Sequence, residues 1–138
     1  MASLWKEYSQ ADSRYAWREA FIVSMEAFTA FVEGPASFVI AWAMAAGKPW
    51  RLPLMMLTAF GQLYGCVLYF ATSWHGGFAD VRPEPIFYWF YFWIINSVWI
   101  VVPTYVCFYA WGKMTEGVRV MEAPAVKAAG LARNGKGK

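Results

Sequence analysis

The sequence predicts an all-α membrane protein with three transmembrane helices and a disordered basic C-terminal tail. Of the 138 residues, 59% are hydrophobic and 20% aromatic, whereas only 15% are charged. A water-soluble domain of this length needs far more polar surface to cover its core, and the length allows one domain. The charged residues fall mostly at the N-terminus, in short linkers and in the tail. They leave three apolar segments of about 20 residues or more, the length that crosses a bilayer.

The first apolar segment predicts a helix over about 16–46. Asp12 or Ser13 can cap its start, because short polar side chains accept hydrogen bonds from the first free amides of a helix. Gly34 and Pro35 interrupt its middle, where proline removes a backbone donor and clashes with the preceding turn. A kink is therefore expected near this pair.

The second and third segments predict helices over about 52–74 and 86–111. The second carries Gly61 and Gly65 four residues apart, a spacing that lets two membrane helices approach closely, so packing is the favoured interpretation. The third has no charged residue at all. Its Pro103 predicts a second kink.

These segments divide the chain into a polar N-terminal part (1–15), a membrane domain (16–112) and a basic tail (113–138). The tail is too poor in large apolar residues to pack, so we expect it to be disordered. The distribution of lysine and arginine places the C-terminus in the cytoplasm. The net charge of +3 is concentrated in the tail, which favours a membrane surface over nucleic acid as the partner.

No cofactor and no metal are predicted. His75 is the only histidine, which excludes a metal cluster built on several histidines. Cys66 and Cys107 lie in apolar stretches without metal-ligand spacing. A redox role is the alternative for these cysteines, but buried small side chains are the favoured interpretation.

Polar side chains form a stripe along the first predicted helix. Positions 19, 22, 26, 29, 30, 33 and 37 share one helical face, and the polar members are Glu19, Glu26, Thr29, Glu33 and Ser37. A charge at membrane depth costs about 2.5 kcal/mol or more, so such a residue is a functional candidate. Glu26, with Thr29 one turn on, is the best placed for chemistry. Glu33 is either functional or satisfies backbone groups freed by the neighbouring Gly-Pro pair.

The other two segments offer fewer polar groups. Asn96 in the third needs a hydrogen-bond partner, and a carboxylate on a facing helix such as Glu26 would serve. Trp99 presents an aromatic face that can stabilise a cation, although aromatic stripes more often serve packing. Tyr69 in the second can reach a cavity, but a hydrogen bond between helices explains it equally well. We expect Glu26 to face Asn96 and Trp99 across a cavity.

Four stretches in order resemble the emopamil-binding protein family, the sterol Δ8–Δ7 isomerases of the EXPERA domain group. They are "LWKEYSQADSRY", "MEAFTAFVEGPAS", "GQLYGCVLYF" and "FYFWIINSVWIVVP". The resemblance implies a partial EXPERA helical bundle in the endoplasmic reticulum membrane, spanning it several times. It also implies cholestenol delta-isomerase activity, which shifts a sterol B-ring double bond by proton addition and removal through a carbocation.

The same resemblance implies roles for individual residues. Glu26 matches the family's acid/base glutamate, with Thr29 beside it, and Asn96 and Trp99 match its hydrogen-bonding asparagine and cation-facing tryptophan. Glu33 and Tyr69 are further candidates for substrate binding. The implied partners are a sterol substrate, cationic amphiphilic amines as inhibitors and the lipid bilayer, without nucleic acid. A homodimer is compatible with the family.

The chain departs from the family pattern at its start. The family has about two further transmembrane helices before "LWKEY", one of which carries a histidine followed one turn later by a glutamate. We therefore expect this chain, resembling the C-terminal half, to bind sterol-like amphiphiles weakly and to isomerise them poorly or not at all. Two alternatives stay open: a non-catalytic sterol-binding protein of the receptor-type EXPERA group, and a small helical subunit in which Glu26 and Glu33 line a water path.

Overall fold

The computed structural model describes Lys6 and residues 9–135, except for the side chains of residue 126 and residues 128–135. Almost all of this part is helical. Within it the only β-type pairing is an isolated antiparallel bridge between Asp12 and Val81. The prediction of an all-α chain is confirmed.

Three helices are long and apolar enough to cross a membrane. They cover Ala20–Ala45, Arg51–His75 and Ile86–Ala125, and we call them the first, second and third span. Their number and order are those predicted from the sequence.

The first span begins later than the sequence predicted. A short helix, α1 (Ser13–Trp17), precedes it and ends at Arg18, whose backbone is left-handed with φ 53°. The Glu19 carboxylate then accepts a hydrogen bond from the Ile22 amide and caps α2 (Ala20–Phe28). A left-handed residue cannot continue a right-handed helix, so the chain changes direction between α1 and α2.

The α-helix of the first span is interrupted by a π-helical stretch just before the Gly-Pro pair. Thr29–Glu33 is π-helical, and the Gly34 amide donates to the Thr29 carbonyl five residues back. The α-helix α3 (Gly34–Ala45) follows, with Pro35 in its first turn, where its missing amide hydrogen costs least. Single π-helical turns of this kind are frequent at functional sites.

The second span is one continuous helix, α4 (Arg51–His75), that packs against both of its neighbours. Its two glycines face the first span. A Cβ built on Gly61 would lie 2.6 Å from Glu33 Oε1, and one built on Gly65 would lie 3.8 Å from Met25 Cγ. These contacts confirm that the glycine pair serves close packing.

The third span starts as a π-helical stretch (Ile86–Ile95) and continues as α5 (Asn96–Gly135). Its buried positions recur at spacings of four and seven residues along one face, at Phe92, Asn96, Pro103 and Ala110. This face packs on the second span.

The expectation of a disordered tail is wrong for residues 113–135, which continue α5 as a helix. The expectation was based on the lack of large apolar residues that could pack the tail against the rest of the protein. A helix that extends an existing one, however, needs no new nucleus. The tail is rich in alanine and other strong helix formers, and Lys113 pairs with Glu116 one turn on. Residues 136–138 lie outside the described part of the chain.

All three spans meet in an apolar cluster at one end of the bundle. Its buried members are Ile22 of the first span, Tyr69 of the second, Phe92 of the third and Val81 of the linker between the second and third. The contacts at this end of the bundle determine the positions of α1 and of the linker on it.

Candidate active site

The Glu26 carboxylate accepts a hydrogen bond from the hydroxyl of Tyr15. The bond joins Tyr15 Oη to Glu26 Oε1 at 3.2 Å, and Glu26 is half-buried. Glu26 lies six residues into the span that starts at Ala20, which corresponds to about 9 Å along the helix axis. Tyr15 reaches this depth because the left-handed turn at Arg18 lets α1 fold back along α2. Sequence reasoning selected Glu26 but missed Tyr15.

A cluster of polar side chains, all of them buried except Thr72, lies next to Tyr15. We call it the polar clamp, and its members are Asp12, Arg14, Tyr69, Thr72 and Ser73. Asp12 and Arg14 form an ion pair with 2.6 Å between Oδ2 and Nη2. The Arg14 guanidinium also donates to Ser73 Oγ at 2.6 Å and to Thr72 Oγ1 at 3.1 Å. The Tyr69 hydroxyl donates to Asp12 Oδ2 at 2.7 Å. The clamp thus fastens the N-terminal end of α1 to one face of the second span.

The charges within the clamp compensate each other. Burial by itself lowers the pKa of Arg14, but hydrogen bonding and attraction from Asp12, with a further contribution from Tyr69, raise it above its ordinary value. The guanidinium carbon also lies 4.7 Å from the centre of the Tyr69 ring, a cation–π contact. Arg14 therefore keeps its charge although it is buried.

The linker after the second span closes the clamp from outside. Ser13 donates two hydrogen bonds to Asp80, from its amide to the backbone carbonyl at 2.9 Å and from its hydroxyl to Oδ1 at 2.8 Å. The Arg82 amide donates to the Ala11 carbonyl at 3.0 Å. A cavity of about 30 Å³ lies between Arg14 and this linker. It is large enough for a water molecule, and its lining includes the polar residues Arg14, Ser73 and Asp80.

Glu33 is more deeply buried than Glu26, with only 5% of its surface exposed. Its Oε1 faces Gly61, and the Thr29 side chain lies near the carboxylate. Its Oε2 is buried without a hydrogen-bond partner among the described residues. Thr29 thus lies beside Glu33, and the two carboxylates have different surroundings despite their common helical face.

Asn96 lies where the π-helical stretch of the third span passes into α5. Its side-chain amide donates to the Phe92 carbonyl at 2.7 Å and to the Tyr91 carbonyl at 3.3 Å, and its own backbone carbonyl accepts from Cys66 Sγ at 3.4 Å. Trp99, one turn on, is 49% exposed at the edge of the buried face.

The structure therefore groups the predicted site residues in three places. Tyr69 belongs to the polar clamp that adjoins Tyr15 and Glu26, Thr29 and Glu33 lie together, and Asn96 and Trp99 share the third span. The predicted cavity between Glu26, Asn96 and Trp99 stays a prediction. Among the residues that the structure describes, no three side chains of the metal-ligating types lie together.

Comparison with known proteins decides the family. The sequence profile of the EXPERA family (EXPanded EBP superfamily) matches residues 1–110 of this chain. The chain belongs to the EXPERA family. The match includes Tyr15, Glu26, the polar clamp and residues 86–110 of the third span. The three spans make this EXPERA chain a multi-pass membrane protein.

Curated relatives of this EXPERA chain carry isomerase and synthase names. A probable 3-beta-hydroxysteroid-Delta(8),Delta(7)-isomerase of Oryza sativa subsp. japonica is 42% identical over 111 residues, which cover 80% of this chain and 50% of the relative. The 3-beta-hydroxysteroid-Delta(8),Delta(7)-isomerase of Mus musculus is 38% identical over 128 residues, covering 92% and 56% respectively. An isomeliandiol synthase of Melia azedarach is 37% identical over 114 residues, covering 83% and 53%. The chain spans about half the length of the curated relatives it matches.

Proposed function

We propose that this chain takes part in sterol Δ8–Δ7 isomerisation and that Glu26 carries one of its proton transfers. The supporting observation is that the half-buried Glu26 carboxylate lies inside a membrane span and accepts a hydrogen bond from the phenol hydroxyl of Tyr15. A carboxylate at such a depth is costly and marks a functional site by default. The names of the relatives supply the reaction class.

The chemistry needs two proton transfers and no oxidant. A Δ8-sterol becomes a Δ7-sterol when a proton adds to C9, a cation forms at C8 and a proton leaves C7. Substrate and product are isomers, so the reaction consumes nothing and returns one proton for each proton used. A positioned carboxylate that gives or takes one of these protons typically contributes about 10²- to 10⁴-fold in rate. Asn96 and Trp99 are the proposed groups beside the cation, and Thr29, Glu33 and Tyr69 are proposed substrate contacts.

Substrate class, partners and location follow from the same proposal. The substrate is a membrane-dissolved sterol, and cationic amphiphilic amines inhibit because an ammonium group resembles the carbocation. We place the protein in the endoplasmic reticulum membrane, with the C-terminus in the cytoplasm on the side of Lys48 and Arg51. The non-catalytic alternative is not favoured, because the relatives at 38–42% identity are named as isomerases.

The test is sterol conversion in a yeast strain that lacks its own Δ8–Δ7 isomerase. The chain is expressed alone and as a fusion to the part of the rice relative that the match leaves uncovered, and sterols are measured by gas chromatography with mass spectrometry. We expect conversion by the fusion, little or none by the chain alone, and a loss of at least about 100-fold in the fusion with Glu26→Gln. Glu19→Gln, the same change at the start of the same span, is the control and should retain activity.

Three outcomes would contradict this proposal in different ways. Conversion by the Glu26→Gln fusion at the unmodified rate would remove Glu26 from the chemistry. Full turnover by the 138-residue chain alone would mean that Glu33 or Tyr69 supplies the second proton transfer. If neither form converts the sterol while both are present in the membrane, the proposed activity is wrong.

A further inference from the structure

We propose that Tyr15 is a positioning residue for the Glu26 carboxylate and that the polar clamp holds Tyr15 in place. The inference rests on the proposed function for its catalytic meaning, because it concerns the same carboxylate. The contact itself, however, is measurable without any turnover.

The hydrogen bond between Tyr15 and Glu26 restricts one carboxylate oxygen. A glutamate side chain has three rotatable bonds, and an unrestrained one in a helix spreads over several rotamers. The bond from Tyr15 uses Oε1, which restricts the rotation of the carboxylate and leaves Oε2 to exchange a proton with a substrate. Displacement of a reacting group by about 1 Å can cost about 100-fold in rate, so such a restraint matters for proton transfer.

Tyr15 itself is held through two residues that closely precede it in the chain. Asp12 at the start of α1 accepts from Tyr69, and Arg14 donates to Thr72 and Ser73 on the second span. The rings of Tyr15 and Tyr69 lie 6.5 Å apart between their centres. Because α1 has only five residues, these bonds fix its orientation and thereby the direction of the Tyr15 side chain.

An ion pair buried this deeply is poorly explained by stability alone. Removing two charges from water costs several kcal/mol per ion, and well-packed apolar residues of similar volume often do as well. What a fully hydrogen-bonded pair provides in addition is one defined geometry. Here that geometry sets the position of α1 relative to the second span, and α1 carries the group that bonds the proposed catalytic carboxylate.

The experiment uses the full chain in lipid vesicles and reads the Glu26 carboxyl group by infrared difference spectroscopy. Its bands are those that disappear in Glu26→Gln. We expect Tyr15→Phe, which removes only the hydroxyl, to shift these bands in the direction of a weaker hydrogen bond. Tyr105→Phe, the same change at an exposed position of the third span, should leave them in place. Tyr69→Phe should shift the Glu26 bands in the same direction as Tyr15→Phe, because this change removes the hydrogen bond between Tyr69 and Asp12 within the clamp.

The kinetic arm uses the fusion with the rice relative. We expect Tyr15→Phe to lower kcat by about 10- to 100-fold with KM changed less than threefold, since substrate contacts remain. A purely structural Tyr15 would lower the amount of folded protein while leaving the Glu26 bands and kcat per folded molecule unchanged, and that result would overturn the inference. Bands that shift in Tyr15→Phe but not in Tyr69→Phe would overturn the part played by the clamp. If the fusion converts no sterol but the Glu26 bands shift as expected, the proposed function is refuted, whereas the contact between Tyr15 and Glu26 is supported.

Discussion

Gly61 of the second span faces the Glu33 carboxylate at a distance that leaves no room for a methyl group. The Cβ of an alanine at this position would lie 2.6 Å from Oε1 and 3.8 Å from the carboxylate carbon of Glu33. Contacts of Cβ atoms below 3.0 Å are essentially never seen. Gly61→Ala therefore forces the carboxylate to retreat by several tenths of an ångström.

The carboxylate has little space for this movement. Glu33 is 95% buried, and its Oε2 already lies in a protein environment without a hydrogen-bond partner among the described residues. Overpacking of this kind costs about 1–3 kcal/mol. Alanine gains about 1 kcal/mol over glycine in a helix interior. We expect a net loss of up to about 2 kcal/mol in the free energy of unfolding for Gly61→Ala.

Gly65→Ala, one turn further along the same helix, is the matched control. Its Cβ would meet Met25 at 3.8 Å, an ordinary van der Waals contact. We expect this variant to be as stable as the unmodified chain or about 0.5–1 kcal/mol more stable.

The assay is unfolding in mixed detergent micelles, followed by circular dichroism while the fraction of denaturing detergent rises. The combination of Gly61→Ala with Glu33→Ala tests the cause, since removing the side chain removes the overlap. We expect at least about 1 kcal/mol of coupling between the two changes. The reasoning is refuted if Gly61→Ala matches Gly65→Ala in stability, or if its loss persists undiminished in the Glu33→Ala background.

Three further predictions follow from charged groups and from the tail. Arg14→Lys keeps the charge but loses the planar fork, so we expect unfolding free energy to fall by about 2 kcal/mol. Lys113→Ala removes one partner of an exposed pair and should lower the unfolding free energy by only about 0.3 kcal/mol in the same assay. If Arg14→Lys and Lys113→Ala cost the same, the stabilising role of buried Arg14 is contradicted. The hydrogen bond from Arg82 lowers the pKa of Glu84 below its ordinary value, so the stabilisation is present above pH 4.5 and is lost as the pH falls through the lower folded pKa. Carbon-13 NMR titration of Glu84 should show this, and an unchanged titration in Arg82→Gln would contradict it. Deletion of residues 113–138 should lower the helical circular dichroism signal in proportion to the helix lost, whereas an unchanged signal would mean that this part is not helical in solution.

The three spans could be predicted because membrane crossing depends on local composition and length. The second span was expected over about 52–74 and covers Arg51–His75. Lipid offers no hydrogen-bond partners to the backbone, so an apolar stretch of this length has a helix as its stable form. The spacing of Gly61 and Gly65 was equally informative, because a helix that must approach a neighbour closely needs small residues on the contact face.

The direction of the chain before the first span could not be predicted. It depends on Arg18, a residue type that rarely adopts the left-handed conformation and gives no sequence signal for it. The bonds of Asp12 to Tyr69 and of Arg14 to Ser73 overrule that local preference. These partners lie more than 55 residues apart in the chain, and a pattern read over short windows does not detect them.

The two carboxylates of the first span show where a helical stripe stops being informative. Glu26 and Glu33 are seven residues apart and share a face. Sequence reasoning preferred Glu26 for chemistry and left Glu33 open between a functional and a structural role. Their surroundings come from different parts of the chain: Glu26 is met by Tyr15, which folds back from outside the span, whereas Glu33 is met by Gly61 of the neighbouring helix. A hydroxyl donor restricts the orientation of the Glu26 carboxylate, whereas the missing side chain of Gly61 lets the Glu33 carboxylate pack against the second span. Conservative changes at the two carboxylates should therefore separate, with Glu26→Gln acting on turnover and Glu33→Gln acting first on how the helices pack.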